Sequence, residues 1–152
     1  MRIKRVFILA SLWILVVVPN VYAQNDETGA IRALIEQVGI HMQAGNLAAL
    51  DEIYSSGRGI HIIEGTGVNH GWEDYRDNHL KPELDAFENF QYRYFAIEPK
   101  VVGSLAYAAF RYELSADIST GHIDSEGRGT VVLEKINGQW RIVHSHTSGR
   151  RR

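Results

Sequence analysis

Cysteine is absent from the 152-residue chain, so the sequence contains no disulfide, no thiolate nucleophile and no sulfur ligand for a metal. Any metal site must therefore be built from histidine and carboxylate side chains. The sequence also lacks a Gly-x-Ser-x-Gly motif, which places the nucleophile in many serine hydrolases. These absences exclude thiol chemistry and argue against a serine hydrolase.

The first 23 residues are typical of a secretory signal peptide. Three basic residues precede an apolar segment over residues 6–18, and Val21-Tyr22-Ala23 resembles an A-x-A cleavage site. The apolar segment is shorter than the ~20 residues that a spanning helix needs, although an uncleaved anchor is the alternative. We expect a mature protein that begins near Gln24, is exported to the periplasm or secreted, and has no stable membrane association after cleavage.

Residues 24–149 have the length of one domain and carry ten basic and eighteen acidic residues. This excess of negative charge argues against nucleic acid as a partner. The chain ends in three arginines at residues 150–152. We expect them to form a solvated basic tail, with contact to an anionic lipid as the alternative.

Helical spacing dominates the first half of this domain. Apolar residues from Ile31 to Met42 recur at helical intervals, and residues 47–54 continue as a short second helix. Residues 60–63 and 68–70, joined through 65–67, predict a small hairpin. Residues 72–80 are predicted to be helical, and Pro82 permits a new first turn that runs on to residue 87.

From residue 90 onward the hydrophobic period is two. Strands are predicted over 90–98, 104–117, 122–136 and 139–147, with turns at Pro99-Lys100, at 119–121 and at Asn137-Gly138. The Asn-Gly pair is typical of a type I′ hairpin. Helices followed by antiparallel strands predict an α+β fold, in which helices cover one face of a curved sheet and leave a pocket between the layers. The final strand is expected near the middle of the sheet.

The final predicted strand carries the first candidate site residues. Alternation places five side chains on one face of it: Trp140, Ile142, His144, His146 and Ser148. Because Trp140 and Ile142 require burial, we expect this face to line the pocket. His144 or His146 is then the candidate general base, since imidazole titrates near neutral pH. Tyr112, on the more apolar face of its strand, is the candidate hydroxyl donor.

His79 and Glu83 form a second candidate cluster. They lie four residues apart and share a helix face if the helix continues through Pro82. Together with His144 and His146 they would form a ligand set for a divalent metal such as zinc, copper or iron, whereas a solvated helix face is the alternative. Trp72 is either a ligand contact or a core residue. No other cofactor is predicted.

The order of the elements resembles the nuclear transport factor 2-like superfamily, specifically its bacterial SnoaL-like branch. The more specific parts of the resemblance are the ending WRIVHSHTS and the segment His79-Leu80-Lys81-Pro82-Glu83-Leu84. The resemblance covers nearly all of residues 24–149. It implies a cone-shaped α+β fold, a pocket for a small-molecule ligand, and a homodimer formed through the outer face of the sheet. It implies less about chemistry, because these relatives include isomerases, dehydratases, cyclases and pure binding domains.

Two function classes follow for the exported domain, and the sequence leaves open whether it is an enzyme. One is an isomerase, dehydratase or cyclase with histidine-centred acid/base chemistry, and the other is a non-catalytic periplasmic protein that binds a ligand or a metal. An iota-class carbonic anhydrase is a minor alternative. That family has three consecutive histidines and two serines where this chain has His144-Ser145-His146-Thr147-Ser148, and Glu83 replaces the threonine of its Lys-Pro-Thr.

Overall fold

The computed structural model describes the backbone of residues 21–57 and 59–152 and the side chains of residues 27–57 and 59–152. The predicted signal peptide lies almost wholly outside these residues. Within them, no helix combines the length and the apolar character needed to cross a membrane. The helical elements are α1 (Val21–Gln43), α2 (Leu47–Asp51), α3 (Trp72–Tyr75), a π-helical segment (Arg76–Leu80) and α4 (Lys81–Ala86).

Six strands form one sheet. They are β1 (His61–Glu64), β2 (Gly67–His70), β3 (Glu88–Val102), β4 (Leu105–Ile118), β5 (Gly121–Ile136) and β6 (Gln139–Arg151). The order across the sheet is β2-β1-β6-β5-β4-β3, and every neighbouring pair is antiparallel except β1 with β6. The predicted α+β fold, its small hairpin and the central place of the last strand are thereby confirmed.

The core lies between α1 and the concave face of the sheet. The apolar stripe of α1 is fully buried at Ile31, Ile35, Val38 and Met42, as the helical spacing predicts. On the polar side of α1, Arg32 Nε donates to the carbonyl oxygen of Ile97 at 3.3 Å, which links the helix to β3. Burial of one helix face against the sheet fixes the inner side of the domain.

Two predicted strand ends are wrong. Pro99 and Lys100 do not form a turn but continue β3, and the chain reverses instead at Gly103, whose φ is 63°. A proline is tolerated at this position because β3 is the edge strand of the sheet, and the N–H groups on its outer side have no neighbouring strand to bond with.

Residues 150–152 are not a free tail either. β6 runs through Arg151, and an Arg152 guanidinium nitrogen lies 2.6 Å from Glu113 Oε1.

A bulge in β6 reverses the face of its second half. Val132 of β5 lies opposite His144, yet the next residue, Leu133, lies opposite Ile142, so Val143 is an extra residue. Trp140 and Ile142 before the bulge point into the core. After it the inward residues are Ser145 and Thr147, each only 6% exposed. The prediction that the histidines of β6 share a face with Trp140 and Ile142 is therefore wrong.

Candidate functional site

A continuous helical run from Trp72 to Ala86 positions the first part of the site. The π-helical segment joins α3 to α4, with the Lys81 N–H bonded to the Arg76 carbonyl five residues earlier. Pro82 lies in the first turn of α4, where a backbone N–H is not required. Continuity through Pro82 places His79 one turn from Glu83, as their spacing predicts. Single π-helical turns within helices occur often at functional sites.

The hairpin contributes a second carboxylate, Glu64, at the end of β1. Its register partner in the parallel strand β6 is Thr147, so both side chains project from the same side of the sheet. The Tyr75 hydroxyl donates to Glu64 Oε1 at 2.7 Å. This hydrogen bond leaves Glu64 Oε2 free to face the helix that carries His79.

Glu64, His79 and Glu83 meet at one point. His79 Nε2 lies 3.3 Å from Glu64 Oε2 and 3.4 Å from Glu83 Oε1. One ligand atom from each of the three residues falls within 4.8 Å of the other two. We call these three residues the Glu–His–Glu cluster. It is half-buried and brings two carboxyl groups to a single imidazole nitrogen.

Asn69 determines which nitrogen of His79 carries hydrogen. The Asn69 side-chain nitrogen donates to Asp74 Oδ2 at 3.2 Å, so its oxygen is the atom 3.0 Å from His79 Nδ1. A carbonyl oxygen only accepts, and Nδ1 must therefore be the donor. In the neutral ring Nε2 then has no hydrogen. Its lone pair points toward the two carboxyl groups, where it accepts a proton or binds a cation.

A cavity of about 110 Å³ adjoins the cluster. Glu64, Glu83, Tyr75 and Thr147 form its polar end. The remaining wall is largely apolar and aromatic, with contributions from α1, the π-helical segment, α4 and the residue that follows it, β3 and β4: Met42, Leu80, Leu84, Phe87, Phe90, Tyr92, Tyr112 and Leu114. His79 lies behind the two carboxyl groups rather than in the wall. Only the carboxyl groups of the cluster therefore reach a ligand directly.

Two hydroxyl groups face the same cavity without a described hydrogen bond. Thr147 is buried beside Glu64, and Tyr112 projects from the predicted inner face of β4. Tyr112 lies over Gly127 and Gly149, where an added Cβ would overlap its ring. Glycine at these positions creates the space that Tyr112 occupies. Both hydroxyls can donate to an oxygen atom of a ligand.

The electrostatics of the cluster favour a bound proton on Glu83. Burial raises the pKa of the Glu83 carboxyl above its usual range, and the charge of Glu64 raises it further, whereas His79 acts in the opposite direction. Glu83 thus holds a proton more readily than a glutamate in water does. A carboxyl with a raised pKa is suited to act as a general acid.

The cluster also has the donor set of a divalent metal site. Two ligands bound at about 2.05 Å to a tetrahedral zinc ion lie ~3.3 Å apart, close to the 3.3 and 3.4 Å separations of His79 Nε2 from the carboxylate oxygens. Asn69 is hydrogen-bonded to the other ring nitrogen of His79, and Tyr75 to the other carboxylate oxygen of Glu64. Metal ligands in proteins commonly have such partners. Three protein ligands would leave a position for a water or substrate.

The structure does not bring His144, His146 and Ser148 to the cavity. His144 is half-buried and the other two are exposed, all on the outer face of the sheet, because the bulge at Val143 reverses their direction. The predicted metal set of His79, Glu83, His144 and His146 is therefore split between two faces. His79 and Glu83 remain together, with Glu64 as the third potential ligand.

Trp72 lies in the core and not in the cavity wall. It is 2% exposed, stacks on Tyr54 with ring centroids 4.2 Å apart, and donates its indole N–H to Asp51 Oδ1 at 2.6 Å. Of the two alternatives for Trp72, the core position is the one observed. It also packs beside Tyr75, with ring centroids 6.0 Å apart.

Glu64, Asn69, Tyr75 and Thr147 are site residues that the sequence interpretation missed. Glu64 and Asn69 lie on the short hairpin, whose parallel pairing with β6 is not visible in the sequence pattern. Tyr75 could have been found, because it precedes His79 by four residues on the predicted helix. The place of Thr147 in the cavity wall depends on the bulge at Val143, which regular alternation does not predict. Because His144 and His146 do not line the cavity, the strand residues that supported the carbonic anhydrase alternative are not part of this site.

Comparison with known proteins agrees with this architecture. No curated protein sequence matches the chain. A nuclear transport factor 2-like superfamily protein from Salmonella enterica serovar Typhimurium is similar in structure, with a TM-score of 0.76 and 22% identity over 82% of this chain and 92% of that one. A proposed ketosteroid isomerase from Shewanella frigidimarina has a TM-score of 0.65 and 23% identity, over 78% of this chain and 94% of its own.

A third structure is a proposed dehydratase of the NTF2-like family from Streptomyces avermitilis. Its TM-score is 0.72 and its identity 12%, over 82% of this chain and 96% of its own. At these identities the three structures establish the fold alone. The sequence model of the SnoaL-like domain matches residues 31–150, which is most of the chain and includes every residue of the site. The chain therefore belongs to the SnoaL-like domain family.

Proposed function

We propose that this chain is an enzyme that moves a proton on a small molecule, with the Glu–His–Glu cluster as its acid/base group. One observation carries the proposal: two carboxyl groups bridged by one imidazole stand at the end of an otherwise apolar cavity. Carboxyls in such surroundings commonly serve as general acids and bases. The reaction class is that of an isomerase or dehydratase, and the histidine at its centre is His79.

The residues divide the chemistry among themselves. Glu64, which accepts from the Tyr75 hydroxyl, is the group that takes a proton from the ligand. Glu83, whose pKa burial raises, is the group that returns one. His79 lies between them and positions both carboxyls. Thr147 and Tyr112 supply hydroxyl donors for an oxygen that gains negative charge, and the apolar wall excludes water.

The relatives support the reaction class through their fold. Two of the structures similar to this chain are described as a proposed ketosteroid isomerase and a proposed dehydratase. Both kinds of enzyme catalyse a proton transfer next to an oxygen-bearing carbon. Those descriptions belong to the other proteins. Here the proposal stands on the cluster and the cavity.

Proton exchange tests the proposal without knowledge of the natural substrate. In D2O, NMR would follow deuterium uptake at the α-carbon of small ketones such as cyclohexanone and acetophenone. We expect uptake above the buffer rate for at least one ketone, and a loss of about a hundredfold in Glu64→Gln and Glu83→Gln. His146→Ala is the matched control and keeps the wild-type rate. Unchanged exchange in both glutamine variants would exclude the cluster as the acid/base group.

Metal binding without turnover is the second candidate function. Two of the three ligand-atom separations, 3.3 and 3.4 Å, are close to the edge of a zinc tetrahedron, and the third is within 4.8 Å, which favours this candidate. Elemental analysis of untagged protein, followed by zinc titration of the metal-stripped protein, tests it. One zinc per chain, lost in His79→Ala, supports this candidate. A metal-free protein that does not take up zinc excludes it.

The outer face of the sheet is the proposed homodimer surface. Leu105 and Tyr107 of β4 and Val102 of β3 are exposed there, and a second copy would cover them. Sedimentation analysis of the wild type and of Tyr107→Glu tests this, with a dimer expected only for the wild type. A wild-type monomer at micromolar concentration would overturn it.

Export through a signal peptide is also part of the proposal. It is supported by the basic residues, apolar segment and A-x-A-like site within residues 1–23. Mass spectrometry of the protein from a bacterial host should find Gln24 as the first residue and the periplasm or medium as its location. An intact N-terminus in the cell interior would overturn this part alone.

A further inference from the structure

We infer that the cavity is a site for an organic cation, in which an ammonium group lies against the carboxyls and a short aromatic or aliphatic body fills the apolar part. The inference rests on the proposed function for the identity of the site, and it adds the chemical class of the ligand. Charge and ring packing support it separately, and a hydroxyl group in the cavity wall is available to the ligand.

The charge of the cavity wall has one sign. Glu64 and Glu83 are its two ionisable carboxyls, and no lysine or arginine is among the described residues that line it. Lys81, the nearest lysine along the helix, is turned away to pair with Asp85 at 2.8 Å. Once Glu83 has lost its proton, the two ionised carboxyls leave the cluster negative even with His79 protonated, and a bound cation favours that ionised form. An anionic head group would be repelled at this end of the cavity, and a cation attracted.

A row of aromatic rings follows the other wall. The ring centroids of Phe87 and Phe90 are 5.2 Å apart, those of Phe90 and Tyr92 5.9 Å, and those of Tyr92 and Tyr112 5.8 Å. All four rings line the cavity. The faces of aromatic rings attract cations, most strongly where water is excluded. Carboxyls at one end and aromatic rings along the side are common surroundings of a bound ammonium group.

A hydroxyl group in the cavity wall is available to a polar atom of a ligand. Thr147 is 6% exposed, lines the cavity beside Glu64, and has no side-chain hydrogen bond within the described part of the chain. No fully buried side-chain nitrogen or oxygen in that part lacks a partner, so the Thr147 oxygen is open to the cavity and not sealed in the core. An ammonium N–H could donate to this oxygen while its other hydrogens reach the carboxyls.

The volume sets the size of the ligand body. At about 110 Å³ the cavity is of the same order as a cavity of roughly 150 Å³ that holds one benzene ring. A single ring or a chain of similar volume therefore fits inside, and a fused polycyclic body exceeds the enclosed volume. Benzylammonium, benzyl alcohol and benzoate are thus matched probes, because they share one ring and differ in the charge of the head group.

Calorimetric titration of the full chain at pH 7 with these three probes tests the inference. We expect benzylammonium to bind at least tenfold more tightly than benzyl alcohol, and benzoate to show no binding. Glu83→Gln, Glu64→Gln and Thr147→Val each weaken benzylammonium by fivefold or more and leave benzyl alcohol within twofold. His146→Ala, on the outer face, keeps the wild-type order. Circular dichroism of each variant verifies that it is folded.

Benzoate binding as tight as that of benzylammonium, or an ammonium affinity that the glutamine variants do not change, would overturn the inference. This failure is separable from a failure of the proposed function. Ketone exchange that depends on the cluster but lacks any ammonium preference overturns the ligand class alone. An ammonium preference without exchange on any ketone supports the ligand class and counts against the proton-transfer reaction.

Discussion

His79 Nε2 and Glu83 Oε1 lie 3.4 Å apart across one turn of a helix that continues through Pro82. This pair is the part of the site in which sequence spacing and structure agree most directly. Glu64 joins it from a different element, so a helix and a strand each contribute one carboxyl. The raised pKa of Glu83 follows in part from that arrangement.

Glu64→Gln should lower the pKa of Glu83. Burial and the charge of Glu64 both raise this pKa above its ordinary value of 4.5, and the substitution removes the second cause. Carbon NMR titration of the Glu83 carboxyl measures the change directly. A Glu83 pKa that stays where it is in the wild type would mean that Glu64 carries no charge in the cluster.

The raised pKa of Glu83 also makes the stability of the fold depend on pH. The folded-state pKa of Glu83 lies above the unfolded-state value, so its contribution to stability is fully present below about pH 4.5 and is lost as pH rises through the folded-state pKa. Glu83→Gln should therefore flatten the fall in the free energy of unfolding over this range. Urea denaturation at a series of pH values gives the comparison, with Glu36→Gln as the control.

Thr147→Val and His146→Ala are a matched pair that tests the direction of β6. Thr147 lies in the cavity wall and His146 on the opposite face, although they are adjacent in the chain. We expect the valine variant to lose about fivefold in affinity for benzylammonium and the alanine variant to lose none. The reverse result would place the face predicted from simple alternation in the cavity.

Gly127→Ala should destabilise the domain by about 1–3 kcal/mol, the usual cost of forcing an extra group into a packed site. A Cβ at this position would overlap the Tyr112 ring and crowd the carbonyl oxygen of Ser148. Gly29→Ala is the control, because a Cβ there meets nothing within 4 Å and helix α1 gains a better helix former. Thermal unfolding of both variants gives the comparison, and equal melting temperatures would contradict the packing.

Asp51→Ala should cost about 1–2 kcal/mol, because it leaves the buried indole N–H of Trp72 without its acceptor. Asp51 also binds Arg76 at 2.8 Å, which ties α2 to the start of the helix that carries His79. Asp85→Ala removes an exposed ion pair with Lys81 and should change stability by less than about 0.5 kcal/mol. Urea denaturation distinguishes the two, and similar losses would contradict the role of Asp51.

Local patterns predict those parts of the fold that depend on local physics. The spacing from Ile31 to Met42 gives α1 its buried face, and Asn137-Gly138 forms the expected turn with φ values of 51° and 83°. The apolar face of β4 that carries Tyr112 is the inner one, as predicted. Each of these features needs only a few neighbouring residues.

The site itself depends on relationships that no local pattern contains. One extra residue at Val143 reverses the following histidines, and nothing in the sequence of β6 distinguishes a bulge from regular alternation. Glu64 lies on a four-residue strand, and its importance comes from parallel pairing with a strand about 80 residues later. The sequence therefore predicts the helical half of the cluster and misses the half contributed by the hairpin.

The parallel pairing of β1 with β6 also sets the order in which the protein can assemble. Glu64 and Thr147 can meet only after all the helices and strands that lie between them in the chain have been synthesised. Contacts of such large sequence separation form slowly, because a long loop must close first. We therefore expect the pocket to form late in folding, after the local hairpins and helices.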